Sequence, residues 1–261
     1  MKRRNSIDKK IKRKKIGLIF TLLLLFVTTF LILLTKTSFF NVSEIKIIGN
    51  EQLTEDKIIM ASGLTIEENI FKIDTEKMEK NLISHPYIKK TKVKRIFPNK
   101  LSIYIEERKE IAAISYIGSY IYLDNEGIVL NILSDKKDNL IVVDGLKIKN
   151  MSIGKKIMLE DNQDIDKLLN FLKDCKKNDL IKEISRINID NKFNIKLTMN
   201  SGLNVAFGNL YNVKYKVSFL IKILEDLNKK AEKKNIILKD STLYFTKGDD
   251  PIFKPHKNWE D

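Results

Sequence analysis

Residues 85–112 read HPYIKKTKVKRIFPNKLSIYIEERKEIA. Two stretches inside this segment, Thr91–Arg95 and Leu101–Glu106, alternate polar with apolar residues, the period of a strand with one face buried. Phe97-Pro98-Asn99-Lys100 lies between them and predicts a tight hairpin. Upstream, Pro86 stops a helix at about Ser84-His85. That helix has Asp74 as its predicted N-cap, Glu76 in its first turn, and Met78 and Leu82 on one face. A shorter helix precedes it, with Thr54 as predicted N-cap and Gly63 as stop. Before that, residues 42–48 alternate as a strand and end in the turn signal Gly49-Asn50. The order is β-α-α-β-β, which places helices on one face of a small sheet and makes an α+β module.

Further toward the N-terminus, Ile16–Thr35 (IGLIFTLLLLFVTTFLILLT) carries no charge. Twenty helical residues at about 1.5 Å each span roughly 30 Å, the thickness of a bilayer's hydrocarbon core. Residues 1–15 hold nine basic residues against one acid, so +8 of the chain's net +14 sits in a short tail abutting the span. That asymmetry predicts a cytoplasmic N-terminus and an extracytoplasmic remainder. It also turns the excess charge from a nucleic-acid signal into a topology signal. A cleaved signal peptide would have a shorter apolar region ending in small residues, and Leu34-Thr35-Lys36-Thr37-Ser38-Phe39-Phe40 is a poor cleavage site. An uncleaved single span is expected.

Toward the C-terminus the pattern changes after about residue 108. Residues 120–123 and 128–130 flank the turn Asp124-Asn125-Glu126-Gly127, and 140–143 is another apolar run. Residues 162–177 form an amphipathic helix. Strands are expected at 184–189, 193–199 (Phe193, Ile195, Leu197 and Met199 inward) and 203–207. A helix follows from 212 to about 234, with Val213, Val217, Leu220, Ile221 and Leu224 on one stripe, and then a last strand at 242–246. This reads as a mixed β domain with two helices. The expected organisation is a basic tail (1–15), a transmembrane helix (16–35), an α+β module (40–108), a β domain (109–247) and a C-terminal tail (248–261).

The order of these parts resembles the FtsQ/DivIB family of bacterial division proteins, and the β-α-α-β-β module resembles a POTRA domain. The residues that carry the resemblance begin at Phe40-Asn41-Val42 and Ile45–Asn50, and continue with Asn69-Ile70-Phe71-Lys72-Ile73-Asp74. The most specific are His85-Pro86-Tyr87-Ile88, Val93–Ile103 and Glu106–Ala112, in which Glu110 stands where the family usually has Pro. Asp124 with Gly127, and Asp144-Gly145-Leu146, match in order. The resemblance implies a non-catalytic scaffold at the division septum. It implies FtsL-type and FtsB/DivIC-type partners, and through them the septal penicillin-binding protein complex and control of peptidoglycan synthesis. It also implies that a partner adds a strand near the end of the β domain. The matching segment is Ser241, Thr242, Leu243, Tyr244, Phe245 and Thr246, with Phe253 and Trp259 in the tail beyond.

The residues themselves offer little for catalysis. One Cys excludes an intrachain disulfide and a Cys-rich zinc site, and two His leave little for metal or triad chemistry. No Gly-x-Ser-x-Gly elbow, Walker loop or Gly-x-Gly-x-x-Gly occurs. Cys175 falls on an apolar helix face and reads as a small buried hydrophobe, and His85 reads as a helix cap. The acidic pairs Asp124/Glu126 and Asp249/Asp250 read as turn chemistry. Lys89, Lys90, Lys92, Lys94 and Arg95 read as a solvated strand face. No cofactor, metal, small-molecule substrate or nucleic acid is expected. The alternatives are a membrane-anchored cell-wall enzyme, which needs a catalytic constellation, and a POTRA protein of an export system, which needs a β-barrel.

Overall fold

The structure is a computed structural model that describes residues 2–65, 67–138, 140–160, 163–190, 194–234, 238–245 and 251–255, with backbone alone at 2–12 and 232–234. Phe193, Thr246, Asp249, Asp250, His256 and Trp259 lie outside the described residues. The chain forms two compact units, 1–107 and 108–261. The fold is α+β, as the hydrophobic periodicities predict.

The first unit opens with helix α1 (Lys2–Lys36). Its segment Arg13–Lys36 is long and apolar enough to cross a membrane, with none of it buried against protein. A short 3-10 turn over Ser38–Phe40 leads into β1 (Glu44–Ile48), α2 (Glu55–Ser62), α3 (Thr75–Ile83), β2 (Ile88–Ile96) and β3 (Lys100–Glu107). β3 is central, parallel to β1 and antiparallel to β2. Ile58 of α2 and Met78 and Leu82 of α3 close the core over Val93, Leu101 and Ile103. Asp74 caps α3 as predicted, accepting from the Lys77 N–H at 3.0 Å.

Thr54 stands at the start of α2 but makes no side-chain cap. The carboxylate of Glu107, at the far end of β3, instead holds the turn that leads into the helix. It accepts the N–H groups of Glu51, Gln52 and Leu53 at 3.0, 2.8 and 3.0 Å. Three converging amides make a concave site suited to a charged acceptor.

The second unit contains β4 (Ala112–Tyr116), β5 (Ser119–Leu123), β6 (Val129–Leu133), β7 (Ile141–Asp144), β8 (Ile148–Asn150), β9 (Met158–Leu159), α4 (Ile165–Lys177), β10 (Ile184–Ile189), β11 (Ile195–Met199), β12 (Asn204–Gly208), α5 (Val213–Lys234), β13 (Thr242–Tyr244) and β14 (Ile252–Lys254). Nine of these strands make one open sheet in the order β14-β13-β12-β11-β10-β7-β4-β5-β6, and β8 and β9 pair separately. The pairs β4–β7, β7–β10 and β12–β13 are parallel; the other pairs of the large sheet are antiparallel. α4 and α5 supply Leu168, Phe171, Leu172, Val217, Leu220 and Leu224 to a core shared with Ile187, Leu197, Val205 and Phe207 of the sheet. Cys175 is fully buried in this core, and burial pushes its thiol up to about 12. It packs there as an inert hydrophobe.

Candidate partner-binding edge of the large sheet

The segment expected to receive a partner strand sits at one end of the nine-stranded sheet. β12 leaves the sheet into α5, and α5 returns the chain to β13 parallel to β12. A parallel return requires a crossover connection, here a helix. Lys216, in the first turns of α5, fastens the crossover by donating to the carbonyls of Phe207 and Asn209 at 3.2 and 3.0 Å, and burial lowers its pKa. The register of β13 is set by Asn204 N–H to the Ser241 carbonyl at 2.9 Å and Phe245 N–H to the Ala206 carbonyl at 3.0 Å.

Ser241 is buried, and Leu243 is buried in the core. Thr242 is half-buried and Tyr244 is exposed. Phe245 packs on Phe207 with ring centroids 5.6 Å apart. β13 is not the outermost strand. β14 lies beyond it, antiparallel, with Thr242 opposite Lys254, Leu243 opposite Phe253 and Tyr244 opposite Ile252. Side chains alternate across this pair. Leu243 and Phe253 turn to the core, while Tyr244, Ile252 and Lys254 share the outer face, where the Lys254 ammonium lies 5.2 Å from the Tyr244 ring centroid. The tail around Pro251 and Pro255 carries no strand signal, so β14 escapes a reading by periodicity. It becomes a strand through its pairing with β13.

The other singled-out residues have structural partners. Asp124 is buried with Oδ1 accepting the N–H groups of Glu126 at 2.9 Å and Ile128 at 2.8 Å, the turn chemistry that the sequence predicts. Its other oxygen accepts from Arg108, which also donates to Glu126 at 2.6 Å. Burial disfavours the guanidinium charge, but the hydrogen bonds to Glu126 and Asp124 outweigh it and raise the Arg108 pKa. Arg108 lies in the charged run Glu106–Glu110, where its partner is not legible.

On the basic strand, Lys90 pairs with Glu106 at 2.9 Å and Lys92 with Glu79 at 3.2 Å. Glu79 also accepts the Val93 N–H at 2.8 Å, and that bond is the main reason its pKa is lowered. Among the described residues no group of three or more His, Cys, Asp or Glu is placed to hold a metal.

His85 does not cap α3 with its ring. Nδ1 accepts the N–H of Tyr87 at 3.3 Å, so this nitrogen is unprotonated. Burial lowers the His85 pKa below 6.5, Lys57 lowers it further, and Glu107 opposes them. The unfolded state therefore binds the proton more readily than the folded state. The stabilisation is complete above pH 6.5 and is lost as pH falls through the window between 6.5 and the lowered folded value. His85→Gln is expected to flatten this part of the stability profile, read as urea midpoints between pH 7.5 and 5; a parallel profile in both proteins would contradict it.

Two family models match. Residues 40–108 match the FtsQ-type POTRA domain, and residues 113–238 match the C-terminal domain of cell division protein FtsQ/DivIB. The chain is 33% identical over 221 residues to cell division protein DivIB of Clostridium tetani (strain Massachusetts / E88), covering 82% of this chain and 76% of that one. It is 28% identical over 226 residues to cell division protein DivIB of Clostridium botulinum (strain Hall), covering 86% and 88%. A solved structure of the major extracytoplasmic domain of division protein DivIB from Geobacillus stearothermophilus aligns with 15% identity and a TM-score of 0.33, over 48% of this chain and 97% of that one. With both family models matched in order and a relative above 30% identity along most of its length, the chain belongs to the FtsQ/DivIB family of cell division proteins.

Proposed function

We propose that the chain is a non-catalytic scaffold of the division complex, anchored by α1 with its N-terminus in the cytoplasm and both units outside, and working at the septum. The β13–β14 end of the large sheet receives FtsL-type and FtsB/DivIC-type partners, and through them the protein influences the septal penicillin-binding protein complex and peptidoglycan synthesis. The observation that carries this reading is the placement of Ser241–Phe245 at the end of an open sheet whose last two strands have three residues each. An open sheet end presents unpaired main-chain groups to which a partner strand is added, and a three-residue outer strand is readily exchanged for one.

Tyr244→Pro tests the reading. The Phe245 N–H points to β12, so alternation turns the Tyr244 N–H toward β14. Proline removes that donor while leaving the β12–β13 register intact. A partner seated beside β14 loses its platform, and a partner replacing β14 loses a main-chain bond. The expected result is at least a tenfold loss of partner recovery in pulldown from membranes, with the first unit's fold unchanged by hydrogen exchange. Undiminished recovery would refute the assignment of this edge.

A further inference from the structure

Four aromatic rings run in a chain across the first unit. Phe39 meets Phe40 at 5.0 Å between centroids, Phe40 meets Phe71 at 5.2 Å, and Phe71 stacks on Phe97 at 5.3 Å. Phe39, Phe71 and Phe97 are 64%, 42% and 59% exposed, and the adjoining Ile96 is 46% exposed. A water-facing patch of this kind on a small unit marks a surface that meets something apolar.

Its position says what. Phe39 follows the end of α1 at Lys36 by three positions, a reach of at most ~10 Å. The loop bearing Phe71 is fastened to the same helix end. Asn69 Nδ2 donates to the Leu34 carbonyl at 3.0 Å, inside the last turn of α1. Ile70 N–H donates to the Phe40 carbonyl at 2.8 Å, Val42 N–H donates to the Glu68 carbonyl at 3.0 Å, and Asn41 bridges Asn69. Arg95 holds the loop from the other side, donating to the Ile70 carbonyl at 3.0 Å and to that of Ile73. The patch therefore starts beside the end of the apolar span and is tied to it through Asn69 and Phe40. The exposed Lys36 and Lys72 flank it.

We propose that Phe39, Phe71, Ile96 and Phe97 rest in the headgroup layer of the bilayer at the C-terminal end of α1, so that the first unit lies on the lipid surface rather than standing off it on a tether. Exposed Phe and aliphatic side chains on a surface facing the bilayer bury at the headgroup–acyl boundary, and lysines beside them meet lipid phosphate. Phe71 and Phe97 are brought to the bilayer by the fold alone, being remote in sequence from the span.

The proposal rests on α1 crossing the bilayer, and the test separates the two claims. The full chain with Trp259→Phe, which removes its one tryptophan, is placed in two kinds of phosphatidylcholine and phosphatidylglycerol nanodisc, brominated near the headgroup end of the acyl chains to read Phe97→Trp or near their methyl end to read Phe26→Trp at mid-span. Phe26→Trp in this background reports on the span and Phe97→Trp on the patch. Both are expected to lose about half their emission relative to unbrominated discs. Quenching of Phe26→Trp with unchanged emission from Phe97→Trp overturns the proposal and leaves the span standing. Ile96→Trp, at the exposed end of β2, gives the same reading should Phe97→Trp fold poorly. A patch that instead seats on another protein's membrane segment gives no quenching in lipid alone, which also overturns it.

Discussion

Gly145→Ala is expected to unfold the second unit while leaving the first intact. Gly145 follows β7 with φ +85°, and a Cβ built there would lie 2.0 Å from the Ile189 carbonyl oxygen of the parallel strand β10. The left-handed backbone alone costs a residue with a Cβ roughly 1–2 kcal/mol. The clash is with backbone, so it is relieved only by prising β7 and β10 apart at the centre of the sheet. Together these should remove about 4 kcal/mol or more, a large part of the stability of a typical domain. Peptides from the second unit should lose hydrogen-exchange protection while those of residues 44–107 keep theirs. A variant with the parent's urea midpoint would show that the β7–β10 approach is looser than described. Gly49 repeats the arrangement after β1, with φ +93° and a Cβ position 2.2 Å from the Ile105 carbonyl oxygen of parallel β3. In both units a glycine lets a strand turn away beside a parallel neighbour.

Arg108→Ala is expected to cost about 3 kcal/mol, because it strands a charge. The Asp124 side chain is 1% exposed and Arg108 16%, so neither is well served by water. Removing the cation leaves a buried carboxylate held only by the Glu126 and Ile128 amides. For a unit of this size the melting temperature should fall by about 6–12 °C. The loss should vary little with salt, unlike that of an exposed pair. Combining Arg108→Met with Asp124→Asn should recover much of the loss, giving a coupling that separate substitutions do not show. Additive effects would mean that Asp124 serves the turn alone.

Local chemistry made most of the fold readable. The hairpin at 91–106, the caps at Asp74 and Gly63, the turn at Asp124–Gly127 and the helices at 165–177 and 213–234 all depend on residues near one another in the chain. What escaped depends on distant partners. β4 (AAISY) is an apolar run without alternation, recognisable as a strand only between β5 and β7. β14, bracketed by Pro251 and Pro255, exists because β13 lies beside it. The turn before α2 is held from 54 or more positions away by Glu107, while Thr54 matches the local rule for a cap and stays unused. The segment proposed to receive a partner came from the family resemblance; the strand β14 beside it was not legible. Arg108 and Asn69 were missed because a charged run and a lone asparagine look solvated until the fold supplies their acceptors.

The Asn69 grip on Leu34 also has a mechanical meaning. With the Ile70–Phe40 and Val42–Glu68 bonds just beyond the helix, it couples the end of α1 to the loop of the first unit. Rotation of α1 about its own axis is then passed on as torque, and the heading of the sheet is inherited from the helix. Each residue of an α-helix advances the face by about 100°. A one-residue change in how α1 packs against neighbouring membrane helices would therefore swing the first unit through more than a right angle.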